Sequence, residues 1–185
     1  MGKDNTPPGI LNDDSIEFFT MNGEVQYLRN GKFHLWNEMT LDVTARLRAL
    51  LDNDPKALVG IEAMGIIDPI DQLHQFAFCN FGEFDKEADI ETGGIVHREY
   101  WNCGARQSCP GHGLVCKLPK VPNGKLTIHD VHLAQNIKED FLNKEIADHL
   151  EVSVHTINRE CTTLAHKIGC HSKPGIAAFA AAHGF

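Results

Sequence analysis

The 185-residue chain has no run approaching the ~18 consecutive apolar residues of a membrane-spanning helix, so no helical span is expected. Its start, Met1 to Ile10, is polar, interrupted by proline and without the apolar core of an export signal, which leads to the expectation of a cytoplasmic protein. Met1-Gly2 followed by Thr6 fits a loose acylation pattern too short to carry weight. Positive charge is also scarce. The 17 Lys+Arg stand against 25 Asp+Glu, a formal net charge of −8 with histidine neutral. No global field of that sign draws a chain to polyanions, which argues against indiscriminate binding of nucleic acid or anionic membrane. The chain further lacks a P-loop, a Gly-x-Gly-x-x-Gly turn and a serine elbow, and no catalytic residues are expected.

What is present is the composition of a folded protein, 42% hydrophobic and 23% charged, at a length that suits one large or two small domains. The acidity is uneven. Gly124 to Phe185 carries 6 Lys+Arg and 7 Asp+Glu, which leaves nearly all the negative charge upstream, and it holds seven of the eleven histidines. The stretch Leu118 to Gly124, with two prolines and a closing glycine, reads as a linker. The resulting division is an α+β module over 1–78, a cysteine-rich segment over 79–117, the linker over 118–124 and an all-α domain over 125–185.

In the first module, Ile16 to Thr20, Glu24 to Leu28 and Lys32 to Trp36 are rich in β-formers and separated by Met21-Asn22-Gly23 and Asn30-Gly31, and the two Asn-Gly pairs predict a three-stranded antiparallel meander. Leu41, Val43, Leu47, Leu50 and Leu51 fall on one helical stripe, and Ala57 to Met64 and Pro69 to Phe78 read as further helices. Phe81 to Gly113 is glycine-rich and short of aliphatic side chains, so something other than a hydrophobic core is expected to order it.

Four cysteines concentrate there: Cys79 at the end of a predicted helix, then Cys103, Cys109 and Cys116 in WNCGARQSCPGHGLVC. In a reducing compartment, clustered thiols point to metal ligation, and a metal can itself supply folding energy to a coreless segment. Structural zinc is the first reading. The paired Cys-x-x-Cys knuckles of zinc ribbons are absent, however, and a Cys-x5-Cys-x6-Cys run with a remote fourth ligand also resembles the pattern of some bacterial iron–sulfur redox regulators. Partly buried thiols without metal are the third reading, and His112 is a substitute ligand. A zinc-deaminase reading of His97-Arg98-Glu99 with Cys109 fails, because the second motif is missing and Pro110 follows its cysteine instead of preceding it.

Helix signals are dense in the last segment. Thr127-x-x-Asp130 predicts a capping box that opens a helix through about Lys138. Asn143 is the expected cap of a second helix, Lys144 to Leu150, with Ile146, Ala147 and Leu150 facing inward. Ser153 caps a third, on which Ile157, Cys161, Leu164 and Ile168 recur at helical spacing, and Gly169 stops it. Cys161 and Cys170 are read as packing residues.

Over Leu126 to about Phe179 the sequence resembles the C-terminal DNA-binding module of LuxR/GerE-type bacterial transcription regulators. The resemblance rests on Leu126-Thr127, on Asn143-Lys144-Glu145-Ile146-Ala147 with Leu150, on Ser153 with Thr156-Ile157, and on Lys167-Ile168-Gly169. It implies a four-helix domain with a helix-turn-helix, whose third helix, Ser153 to Ile168, enters the major groove of double-stranded DNA. It also implies that a fourth helix, about Lys173 to Ala182, pairs subunits in a homodimer. The candidate DNA-binding residues are Lys144, Ser153, His155, Thr156, Asn158, Arg159, Thr162, His166 and Lys167, with Arg159 and Asn158 suited to bases and Lys144, Thr156 and Lys167 to phosphates. The chain departs from the family in Asn158 and Glu160, where lysine and histidine are usual, in Asp140, where glycine is usual, and in Asn136, where an aliphatic side chain is usual. The expectation is a sequence-specific transcription regulator with a cysteine-ligated metal site. The alternatives are an adaptor with a degenerate helix-turn-helix that does not bind DNA and holds a partner such as RNA polymerase, or a redox or iron–sulfur-sensing regulator.

Overall fold

A computed structural model describes residues 14–106 and 108–185 of the chain; the readings of Met1 to Ile10, including Met1-Gly2 with Thr6, lie outside them. Among the described residues the architecture is α+β: one three-stranded antiparallel sheet, seven α-helices and a short 3-10 turn. Two compact units form. The first runs to Cys103 and takes in Cys109–Lys117, and the second comprises Gly104–Ser108 and Leu118–Phe185. No helix among the described residues is long and apolar enough to cross a membrane.

In the first unit, β1 (Glu17–Met21), β2 (Glu24–Arg29) and β3 (Lys32–Leu35) pair in sequence order. Both connections are two-residue turns in which each residue has positive φ, Asn22 at 55° with Gly23 at 85° and Asn30 at 50° with Gly31 at 70°. That geometry matches the right-handed twist of the strands, which is why Asn-Gly fixes the register here. Phe18, Val25 and Tyr27 bury one sheet face against three helices. These are α1 (Leu41–Asp52), α2 (Pro55–Ala63) and α3 (Pro69–Asn80). Asp54 caps α2 by accepting from Ala57 N at 3.1 Å, and Asp68 caps α3 by accepting from Ile70 N at 2.8 Å, each followed by a proline that suits a first helical turn.

Two expectations need correction in this unit. Leu41, counted in the apolar stripe of α1, is the first residue of that helix and 90% exposed, while Val43, Leu47 and Leu51 carry the burial. The irregular stretch after α3 does take part in the hydrophobic core: Phe81 is fully buried and Ile90 nearly so. Ile90 also bridges Ile16 and Val96, which stitches this stretch to the edge of the sheet.

The second unit holds α4 (Ile128–Lys138), α5 (Asn143–His149), α6 (Val154–Ile168) and α7 (Lys173–Ala182). Helix α4 packs on α7, and α5 on α6, around buried Val131, Ala134, Ile146, Ile157, Leu164 and Ile176. Thr127 and Asp130 form the predicted capping box, and Ser153 caps α6, accepting from Thr156 N at 3.0 Å. Gly169 ends α6 in the left-handed region at φ 75°. The start of α5 differs from expectation. Leu142 holds the cap position, Glu145 accepts from its N–H at 2.7 Å, and Asn143 is already helical. Leu150 is 36% exposed instead of inward, because α5 ends at His149 and Glu151 turns the chain away at φ 53°.

Candidate functional site

Helix α6 has two contrasting sides. Ile157, Cys161, Leu164 and Ile168 are buried at helical spacing, whereas His155, Asn158, Arg159, Thr162 and His166 are all exposed. The turn between α5 and α6 spans only Leu150–Ser153, with Glu151 in the left-handed region that such turns more often give to glycine. Asp140, between α4 and α5, also has positive φ, at 65°. Short polar aspartate tolerates that region better than most side chains, so the backbone conformation that glycine would favour is kept.

The nine predicted contact residues fall into two groups. Lys144, His155, Arg159 and His166 are exposed cationic or titratable side chains. Others have intramolecular bonds: Ser153 and Thr156 share a 2.8 Å bond at the α6 cap, Asn158 Oδ1 accepts from Asn143 Nδ2, and Thr162 donates to Asn158 O at 3.0 Å. Lys167 is the one drawn inward, its Nζ lying 2.6 Å from Asp130 Oδ2. Glu160, whose charge would face phosphates, has its Oε2 3.0 Å from His129 Nε2 on α4.

Packing of Cys161 and Cys170 follows expectation in outline. Cys161 is buried, and burial raises its thiol pKa, which makes it a poor nucleophile. Cys170 Sγ lies 3.6 Å from Ser172 O and packs beside Gly175.

In the first unit Cys79 is buried, and Cys103, Cys109 and Cys116 are half-buried. Burial pushes the Cys79 thiol up to about 12, against a 3.1 Å hydrogen bond from Gln75, and the charges of Cys116, Cys103 and Cys109 each push it further. Cys103, Cys109 and Cys116 therefore each lie within electrostatic reach of Cys79. Among the described residues, no three His, Cys, Asp or Glu side chains converge tightly enough to hold an ion as they stand. None of the six cysteines, all among the described residues, is in a disulfide.

Sequence reasoning missed what holds this region together. Arg98 Nε donates to Asn80 Oδ1 at 2.6 Å, Nη1 to Asp54 Oδ2 at 2.6 Å and Nη2 to Val115 O at 2.7 Å, with the guanidinium 5.0 Å from the Phe76 ring centroid. The bond to Arg98 helps hold the Asp54 carboxyl below the usual range although burial opposes it. The cysteine loop docks on α2 through two glycines: a Cβ on Gly111 would lie 3.0 Å from Gly60 O, and one on Gly60 would lie 2.7 Å from Val115 Cγ2. Trp101 lies over Gly82 and donates to Phe78 O at 2.6 Å.

Two buried carboxyls, Glu17 and Asp89, and the half-buried Glu99 were missed too. Asp89 Oδ2 accepts from Phe18 N at 2.7 Å, Glu17 Oε1 from Asp85 N at 2.9 Å, and Glu99 Oε1 from Glu83 N at 2.6 Å. Burial raises all three, Glu17 to about 8, Glu99 to about 7 and Asp89 well above its ordinary value. The one signal available was Glu17 itself, an acidic residue inside the apolar run Ile16 to Phe19.

Comparison with known proteins finds no matching family model, no matching curated protein and no matching solved structure.

Proposed function

We propose that the protein is a sequence-specific DNA-binding transcription regulator of the LuxR/GerE type, with α5 and α6 as its helix-turn-helix and α6 as the helix that reads the major groove. The observation that carries this reading is the row His155, Asn158, Arg159, Thr162 and His166, exposed along one side of a helix whose other side is buried. Support comes from the positive φ of Asp140, because that departure from the family's glycine leaves the turn geometry in place. Arg159 is suited to a guanine edge and Asn158 to adenine, with Lys144 on phosphate. The ion pair of Lys167 with Asp130 makes that lysine a brace of the fold more than a phosphate contact. In this reading α7 pairs two subunits on a palindromic site, which adds contacts that a near-neutral single module lacks.

The second part of the proposal is a thiophilic metal centre at Cys79, Cys103, Cys109 and Cys116, as zinc or an iron–sulfur cluster. Metal binding would draw these thiols together and replace their protons.

Selection of the full chain on a randomised duplex library tests the DNA reading. Enrichment of a common sequence supports it. No enrichment favours the adaptor, in which the same helices hold a protein partner such as RNA polymerase. The marked acidity upstream of Gly124 is the observation on the adaptor's side.

A further inference from the structure

We propose that the cleft between α1 and the turn at residues 90–96 of the first unit binds a small organic monocarboxylate, its carboxylate paired with Arg46 and its hydrocarbon body laid on Leu50, Ile90 and Val96. The cleft holds about 380 Å³, within the span of small-molecule sites. This site is independent of the DNA and metal readings. One wall is helical: Arg46, Ala49 and Leu50 stand at i, i+3 and i+4 on α1 and so share a face. The other wall is a closed turn. Ile90 pairs antiparallel with Val96, Glu91 N donates to Ile95 O at 2.9 Å, and Gly94 N donates to Glu91 O at 2.8 Å. Gly94 supplies the left-handed residue that this turn requires, at φ 80°. Ile90 is buried, and Leu50 and Val96 pack against the core, which gives the cleft an apolar floor.

Arg46 is half-buried on this floor and has no hydrogen bond or ion pair among the described residues. The nearby acids are already engaged. Asp42, one turn before Arg46 on α1, lies 2.6 Å from Arg29, and Glu91, at the base of the turn, lies 2.7 Å from His97. The N–H groups of Thr92 and Gly93, also at the cleft, have no acceptor among the described residues. A Cβ on Gly93 would meet nothing within 4 Å, so the space beside the turn is open. One guanidinium presents one charge in a planar fork, which matches a single carboxylate through two parallel bonds. A dianion such as a phosphate monoester would call for a second cation. Arg46 is the one cationic side chain in the lining, and the chain upstream of Gly124 is acidic.

The test titrates the full chain with octanoate and with phenylacetate, followed by two-dimensional amide NMR and calorimetry, and octanol serves as the uncharged counterpart. The expected result is saturable binding of the acids with shifts at the Thr92 and Gly93 amides. Octanol should bind about 10-fold more weakly or worse, since it cannot make charge-assisted bonds to Arg46. Arg46→Gln should weaken octanoate by about 10- to 100-fold at an unchanged urea midpoint, because the side chain has no partner within the fold to lose. Ala49→Trp, which fills the cleft from the α1 side, should abolish the amide shifts. No saturable binding of either acid below about 10 mM overturns the proposal. Octanoate affinity in Arg46→Gln equal to that of the parent chain overturns it as well, even if Ala49→Trp fails to fold, and so does octanol bound as tightly as octanoate.

Discussion

Lys167, in the last turn of α6, places its ammonium 2.6 Å from the Asp130 carboxylate in the first turn of α4. The same oxygen of Asp130 accepts from Thr127 N at 2.7 Å and closes the capping box. One largely buried carboxylate therefore ties α6 to α4, the helix that starts the unit.

Burial works against the charge of Asp130, but hydrogen bonds from Lys167 and Thr127 outweigh it and hold the pKa below the ordinary value. A depressed carboxyl gives stability that is present above its unfolded value, near 3.8, and lost as pH falls through the lower folded value. Asp130→Ala should cost the second unit about 2–4 kcal/mol, since it removes a cap and leaves Lys167 without its partner. Urea midpoints near neutral pH check the loss, and a variant as stable as the parent would show that the pair contributes nothing.

The first unit should respond to pH in the opposite sense. Glu17, Glu99 and Asp89 are raised above their ordinary values by burial, so the folded chain keeps protons that the unfolded chain releases. Their contribution is complete below the unfolded carboxyl values, near 4, and is lost as pH rises through about 7 for Glu99 and about 8 for Glu17. Urea midpoints of this unit should fall between pH 5 and pH 8.5. Glu17→Gln, which keeps the acceptor and cannot ionise, should flatten that fall.

Gly60→Ala should separate α2 from the cysteine loop. The added Cβ would meet Val115 Cγ2 at 2.7 Å and Leu114 Cβ at 2.8 Å, both too close for a real contact. Overpacking of this kind costs about 1–3 kcal/mol. Metal uptake should fall with it, since Val115 precedes Cys116. A thermal melt and metal analysis of the purified variant measure both effects.

Arg159→Ala should weaken binding to the enriched duplex by about 1–3 kcal/mol while leaving the fold intact, because the side chain is exposed. Lys144→Ala should weaken all duplexes alike and shallow the salt dependence. Competition binding on matched and scrambled duplexes separates the two outcomes, and an unchanged Arg159→Ala would remove that residue from base reading.

Local signals in the sequence carry most of the secondary structure. Asn22-Gly23 and Asn30-Gly31 dictate their turns through positive φ, and Thr127, Ser153 and Gly169 mark helix ends through bonds made within a few residues. Leu150 and Asn143 were misplaced because a one-residue shift of a cap depends on Glu145 reaching Leu142 and on Glu151 turning left-handed, which composition does not reveal. The cysteines were legible as a group from spacing. Their scaffold was not: Arg98 and Asp54 are 44 residues apart, and Phe18 and Asp89 71, so these bonds exist only after the chain has folded. The pairing of Lys167 with Asp130 across 37 residues is hidden in the same way.

The most direct measurement is the affinity of the full chain for the enriched duplex and for a scrambled one across a salt series, by fluorescence anisotropy. The account predicts saturable binding to the enriched duplex that is at least 10³-fold tighter than to the scrambled one, to order of magnitude, with log affinity falling linearly as log salt rises. Equal affinity for both duplexes, or no binding to either at about 50 mM salt, would contradict it.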